Sequence, residues 1–304
     1  MTIPESQLER WATLGATTAS AATYASVQTA LDRYAWPDGV RYAVYLQGSY
    51  RNATNVRGDS DVDVVAELTS VVRLDLAGLT DLDRARARAR YGDSDYGFPE
   101  FRADVGRALY RHYGWLAVSD APKCFKVEAA SGRLGADVVP CISLARHVSV
   151  ETVVKGMTFL PTDSSRWIQN FPKLHFDAGA TKNGDAATAG WFKPLVRVVK
   201  NMRNRINDDR IFKLRAPSYF LECLLWNVPN ELFGESLQRS LHMSLVFLQR
   251  LLADNYDFMC PHQQHALFGT RPEQWNRDEA RAFIDAALKL WNGWYEDASF
   301  LPRL

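Results

Sequence analysis

The feature that most constrains this chain is a change of hydropathic period partway along it. Arg41 to Gln47 (RYAVYLQ) and Asp61 to Leu68 (DVDVVAEL) alternate with period two, which predicts strands. Lys123 to Ala129 and Arg133 to Val139 alternate likewise and predict a hairpin turning at Ser131-Gly132. From Trp191 onward the period becomes helical, over Trp191 to Ile206, Ser218 to Trp226, Leu232 to Ala253 and Asp278 to Trp294. Glu100 to Tyr113 also predicts a helix, and residues 5 to 35 predict one or two more, ended by Pro37-Asp38-Gly39. Residues 69 to 98 predict a mobile segment with room for one short helix. Strands followed by helices predict an α+β chain of two lobes. Residues 36–150 form the sheet lobe, 151–304 an α-helical lobe, and 1–35 a helical segment packing across both.

Composition narrows the class. The 304 residues are 47% hydrophobic, with 36 basic side chains against 35 acidic ones, which excludes a disordered chain. No run of 18 uncharged apolar residues occurs, so no spanning helix and no membrane partner are expected. The N-terminal MTIPESQLER lacks the apolar core of a secretory leader. The four cysteines, Cys124, Cys141, Cys223 and Cys260, are scattered in apolar contexts, as expected of free thiols in a cytoplasmic protein. A net charge of +1 argues against a protein that coats long nucleic acid. Locally the balance differs. Residues 189–215 hold eight basic side chains, Lys193, Arg197, Lys200, Arg203, Arg205, Arg210, Lys213 and Arg215, against Asp208 and Asp209, a net of +6.

The chemistry-bearing pattern is Gly48-Ser49, eleven residues, then Asp61-Val62-Asp63. Alternation on a strand sends Asp61 and Asp63 to one face and Val62 and Val64 to the other, with the two carboxylate-bearing residues about 6–7 Å apart. Such a pair suits two divalent cations, and Mg²⁺ takes few carboxylates plus substrate phosphates. Glycine lets backbone N–H groups approach an anion, and the Ser49 hydroxyl adds a donor. An Asp-x-Asp pair alone also fits a solvated strand edge; its place after a strand and a Gly-Ser break separates the two readings.

GSYRNATNVRGDSDVDVV resembles the signature of the DNA polymerase β-like nucleotidyltransferases, and within them the bacterial cGAS/DncV-like family that makes cyclic oligonucleotide signals against phage. Further motifs follow in the same order: Ala136-Asp137-Val138-Val139-Pro140, Lys200 in LVRVVKNMR, and Ser218-Tyr219 in PSYFLECLL. The likeness spans about residues 40–230. It implies a mixed-sheet catalytic lobe joined to a helical lobe, with a basic helix facing a carboxylate cluster across a cleft. It implies that Asp61, Asp63 and Asp137 hold two Mg²⁺ ions, with Mn²⁺ as a substitute, and that Asp137 also helps deprotonate the attacking ribose hydroxyl. Gly48, Ser49, Lys200 and Ser218 would bind phosphates, and Tyr219 would stack on the donor base.

The expected activity is joining nucleoside triphosphates into a cyclic di- or trinucleotide with loss of pyrophosphate. The product would act on a separate effector protein, and a regulatory protein partner fits the same family. The alternatives are linear products, transfer to an RNA, protein or small-molecule acceptor, or a non-catalytic nucleotide sensor. Taken residue by residue, Lys200 also fits a solvated helix face, Ser218 a helix N-cap and Tyr219 the core. Cys260, His262 and His265 have soft-ligand chemistry but lack the second close pair of a zinc site. The run RARARAR (Arg84 to Arg90), flanked by acids, reads as a solvated face, and Trp167 to His175 as a crossover between lobes.

Overall fold

The computed structural model describes residues 2–15, 17–56, 61–208 and 210–294. They form two compact units, one of residues 17–52 and 61–174, the other of 2–15, 53–56, 175–208 and 210–294.

The first unit is built on a seven-stranded mixed sheet. Its strands are β1 (Tyr42–Leu46), β2 (Asp61–Asp75), β3 (Val118–Asp120), β4 (Phe125–Val127), β5 (Gly135–His147), β6 (Val153–Phe159) and β7 (Ile168–Asn170). The order is β1-β2-β5-β4-β3, with β6 on β5 and β7 on β6; β2 and β5 run parallel, and the other pairs are antiparallel. β2 runs past the expected Leu68 to Asp75 because its register on β5 shifts between Leu68 and Val72, a bulge that lets the strand continue. β5 changes partners on its other edge, pairing with β4 at Ala136–Val138 and with β6 from Ile142. Pro140 falls between the two, where a residue without an N–H is tolerated. The strands β6 and β7 carry this unit beyond the boundary at 150 read from the sequence.

Two helices, α2 (Thr18–Asp32) and α5 (Phe98–Tyr113), cover one face of the sheet. Val62, Val64 and Val138 point into that layer with Phe101, Val105 and Leu109, all at or near zero exposure. Phe101 stacks on Trp36 with ring centroids 5.4 Å apart, and Thr23 of α2 accepts the Leu134 N–H at 2.9 Å, fixing the helix at the start of β5. The segment 69–98 is not merely loop: after β2 it contains α4 (Asp81–Arg88), which carries most of the RARARAR run. Thr80 caps α4 through the Asp83 N–H, Arg84 pairs with Asp81 (3.0 Å) and Arg86 with Asp83 (3.5 Å), and Arg84 also donates to the Leu76 and Ala77 carbonyls.

The helical unit packs α1 (Glu5–Ala12), α6 (Pro172–Asn183, from His175), α7 (Phe192–Asp208), α8 (Ser218–Trp226), α9 (Leu237–Ala253) and α10 (Arg277–Asn292). Leu8, Leu195, Val199, Met202, Leu221, Leu245 and Phe283 lie in its core. Of the N-terminal segment, α1 belongs here and α2 to the sheet unit. Glu5 on α1 accepts the Leu237 and Gln238 N–H groups at 2.7 and 2.8 Å, so its carboxylate caps α9. The five-residue α3 (Gly48–Asn52) follows β1, and the chain then supplies residues 53–56 to this unit.

Replacing Phe101 by Ala removes a fully buried ring and should cost about 3–5 kcal/mol. Urea unfolding of the sheet unit is expected to shift to a lower midpoint with an unchanged slope; a loss under about 1 kcal/mol would contradict this packing.

Candidate active site

Asp61, Asp63 and Asp137 come together through strand register. Asp63 is the direct β2 partner of Asp137 on β5, and Asp61 partners Gly135. Paired residues on neighbouring strands sit about 4.8 Å apart and share a face. Val64 and Val138 occupy the helix-covered face, so the three aspartates project from the other one.

Two glycines make room for them. A Cβ at Gly135 would stand 2.5 Å from Asp61 Oδ1, and one at Gly48 would stand 2.1 Å from Asp63 Oδ2. Gly48 also has φ +66°, a left-handed conformation that turns the chain from β1 into α3. Glycine is therefore required there twice, by backbone and by space. Ser49 follows as the second residue of α3 and is half-buried.

The β4–β5 hairpin brings up a residue that the motifs do not single out. Ala130 bridges Arg133 around Ser131-Gly132, and Gly132 has φ +82°. Counting back from that turn pairs Val127 with Ala136 and Lys126 with Asp137. Lys126 Nζ lies 3.6 Å from Asp137 Oδ1. The charge of Asp137, and more weakly that of Asp61, holds the Lys126 ammonium above its ordinary range. On the same strand end, burial followed by the Asp137 charge pushes the Cys124 thiol up to about 12, so Cys124 stays protonated.

The three carboxylates are adjacent without sharing a focus: among the described residues no group of three His, Cys, Asp or Glu side chains closes on one point. The residue set nonetheless fits a divalent cation. It is all-oxygen and multiply anionic, as hard cations require, and the Lys126 ammonium already stands in as a cation against it.

The remaining candidates lie in the helical unit. Lys200 is not on a solvated face: it is 1% exposed, and its Nζ donates to the Thr54 carbonyl at 2.9 Å. Arg197, whose pKa burial lowers, donates to the Ala53 carbonyl at 2.6 Å. The two cations of α7 thus brace segment 53–56, the continuation of α3. Thr54 in turn donates to Glu222 at 3.2 Å, and Glu222 pairs with His175 at 2.9 Å.

Ser218 is not an N-cap. Pro217 takes that place, having no N–H to lose, and Ser218 opens α8 with its hydroxyl 3.3 Å from Arg203 Nη2. Tyr219 stacks on His175 with centroids 5.1 Å apart and remains 41% exposed. His262 Nδ1 accepts the Gln264 N–H at 3.0 Å, which leaves the proton on Nε2 to face Tyr219 Oη at 3.1 Å. Cys260 beside it is buried, and hydrogen bonding from Cys223, then from His262, lowers its pKa to about 5. Asp209, counted in the basic stretch, and residues 57–60 of the Gly-Ser signature lie outside the described residues.

A Gly-Ser turn after β1, two aspartates on β2 and a third on its parallel neighbour β5 thus stand together. Comparison with known proteins gives the family. Residues 177–292 match the model of the cGAS/DncV-like nucleotidyltransferase C-terminal helical domain. The chain is 44% identical to the cyclic UMP-AMP synthase of Rhodothermus marinus, covering 97% of this chain and 99% of that protein. It is 34% identical to a cyclic dipurine nucleotide synthase of Elizabethkingia meningoseptica, over 84% and 85% of the two chains. Its fold matches a solved structure of R. marinus CdnE c-UMP-AMP synthase with Apcpp and Upnpp, with a TM-score of 0.87 and 43% identity over 97% and 99% of the chains. The chain belongs to the cGAS/DncV-like nucleotidyltransferases and is an enzyme of the cyclic nucleotide synthase type.

Gly39 and Gly48 separate two effects of glycine. Gly39 has φ +80° with nothing within 4 Å of an added methyl, whereas at Gly48 that methyl meets Asp63. Gly39→Ala should cost about 1 kcal/mol and retain nucleotidyl transfer. Gly48→Ala should lower turnover by about 100-fold or more by displacing Asp63; equal activity in both would contradict the assignment.

Proposed function

We propose that the enzyme joins two or three nucleoside triphosphates into a cyclic oligonucleotide, releasing pyrophosphate, with Mg²⁺ as cofactor and Mn²⁺ as its substitute. The observation that carries this reading is the register Asp63–Asp137 with Asp61 on the same face. Asp61 and Asp63 would hold two ions, and Asp137 would complete one of the sites. When bound, the ions supply charge neutralisation at the α-phosphate and at the leaving pyrophosphate. Asp137 would also help to take the proton of the attacking ribose hydroxyl, a role that calls for a carboxylate beside the ions.

Gly48 and Ser49 are proposed to hold the β- and γ-phosphates through backbone and hydroxyl donors. Ser218 would add a donor, and the exposed ring of Tyr219, backed by His175, offers a face for base stacking. Lys200 is buried under its bond to Thr54, so its proposed contribution to a triphosphate is the field of a fixed positive charge rather than a mobile contact.

The relatives are named for different products, UMP-AMP in one and dipurine in the other. Base choice in this chain is accordingly the quantity to measure. The product is proposed to serve as an anti-phage signal acting on a separate effector in the cytoplasm, with a regulatory protein as a further partner. No helix among the described residues is long and apolar enough to cross a membrane.

The test is incubation with labelled ATP, GTP, CTP and UTP plus Mg²⁺ or Mn²⁺, followed by phosphatase treatment and mass spectrometry. Phosphatase-resistant cyclic products are expected from the wild type and none from the Asp61→Asn, Asp63→Asn double variant. Linear or acceptor-linked products alone would displace the reading, and synthesis retained in the double variant would overturn the metal ligands.

A further inference from the structure

We infer that Lys126 is a built-in competitor for the catalytic cation, a positioning residue whose ammonium holds Asp137 until a divalent ion displaces it. The inference rests on the metal reading proposed above and deepens it by naming what regulates occupancy of that site.

The geometry is a single row across three strands. Asp63 on β2 pairs with Asp137 on β5, and Asp137 pairs with Lys126 on β4. Lys126 shares the catalytic face because its neighbours Phe125 and Val127 point into the opposite, helix-covered layer; a Cβ on Gly106 of α5 would meet the Phe125 ring at 2.8 Å. The two-residue turn at Ser131-Gly132 fixes that register, so Lys126 cannot face Asp137 by chance of rotamer alone.

Three carboxylates in adjacent register repel one another. Each turns to a different neighbour: Asp63 toward Gly48, Asp61 toward Gly135, Asp137 toward Lys126. The Lys126 ammonium partly offsets this repulsion. It is a point charge on a flexible stem, and the side chain is 51% exposed against 27% for Asp137. It can therefore swing into water at small cost, whereas Asp137 is held within the sheet. A divalent cation brought to Asp137 must expel the ammonium, because two cations cannot occupy one carboxylate edge without strong repulsion. Lys126 thereby weakens the resting affinity for metal. It favours loading when the metal arrives with triphosphate, whose own negative charge tips the exchange.

Removing the charge should tighten metal binding. Mn²⁺ binding measured by calorimetry and by the loss of the free-ion paramagnetic resonance signal, with no nucleotide present, is expected to be about fivefold tighter in Lys126→Met than in wild type. Lys126→Arg should restore wild-type affinity. In an Asp137→Asn background the Lys126→Met effect should vanish, since the competing pair is already broken. Unchanged Mn²⁺ affinity in Lys126→Met, or a rise confined to the KM for nucleotide, would overturn the inference and make Lys126 a substrate contact. Circular dichroism of each variant reports folding, and Lys126→Gln serves if the methionine variant does not fold. Failure of the wild type itself to bind Mn²⁺ more tightly than the Asp61→Asn, Asp63→Asn variant would instead refute the metal reading.

Discussion

The parallel pairing of β2 with β5 is the constraint on which the rest of the site depends. Asp63 and Asp137 are 74 positions apart in sequence and meet only because these strands run side by side in register. A slip of β2 by one residue would send Asp61 and Asp63 into the helix-covered layer and Val62 and Val64 out of it. The apolar residues Val62, Val64 and Val138 therefore do more than fill the core. Their burial against α2 and α5 holds the carboxylates on the opposite face, so the chemistry is positioned by the packing behind it.

The carboxylate row is adjusted by residues chosen for what they lack. Gly48 and Gly135 have no Cβ where Asp63 and Asp61 need space, and Pro140 has no N–H where β5 changes partners. In the helical unit the same economy appears in reverse. Lys200 and Thr54 are buried polar groups and Arg197 a half-buried one, each with a partner, and together they hold segment 53–56 against α7. Unpaired, they would be costly; paired, they specify one conformation for the chain that follows α3.

Much of this is legible in the sequence because it is written in short-range pattern. The alternation in DVDVV marks the two faces, the Ser131-Gly132 turn marks the hairpin, and the ordered motifs mark the family. What the pattern hides is instructive. α6 is hidden because PKLHFDAGATKN has no consistent apolar stripe; its buried residues include His175 and Lys182, which pattern reading treats as surface. The far half of β2 is hidden because the bulge after Leu68 breaks the alternation. Lys200 reads as solvated because burial of a lysine depends on a distant backbone carbonyl. Lys126 is recoverable from sequence: counting residues back from the hairpin turn already pairs it with Asp137.

The central claim is that β2 and β5 bring Asp61, Asp63 and Asp137 together to hold two divalent ions. The most direct measurement is a crystal structure grown with Mn²⁺ and a triphosphate analogue, read at the manganese absorption edge. The account predicts anomalous peaks at about 2.1 Å from oxygens of Asp61, Asp63 and Asp137, with Lys126 Nζ withdrawn from Asp137. Ordered nucleotide with no anomalous peak at these three carboxylates, or peaks held by other residues, would contradict it.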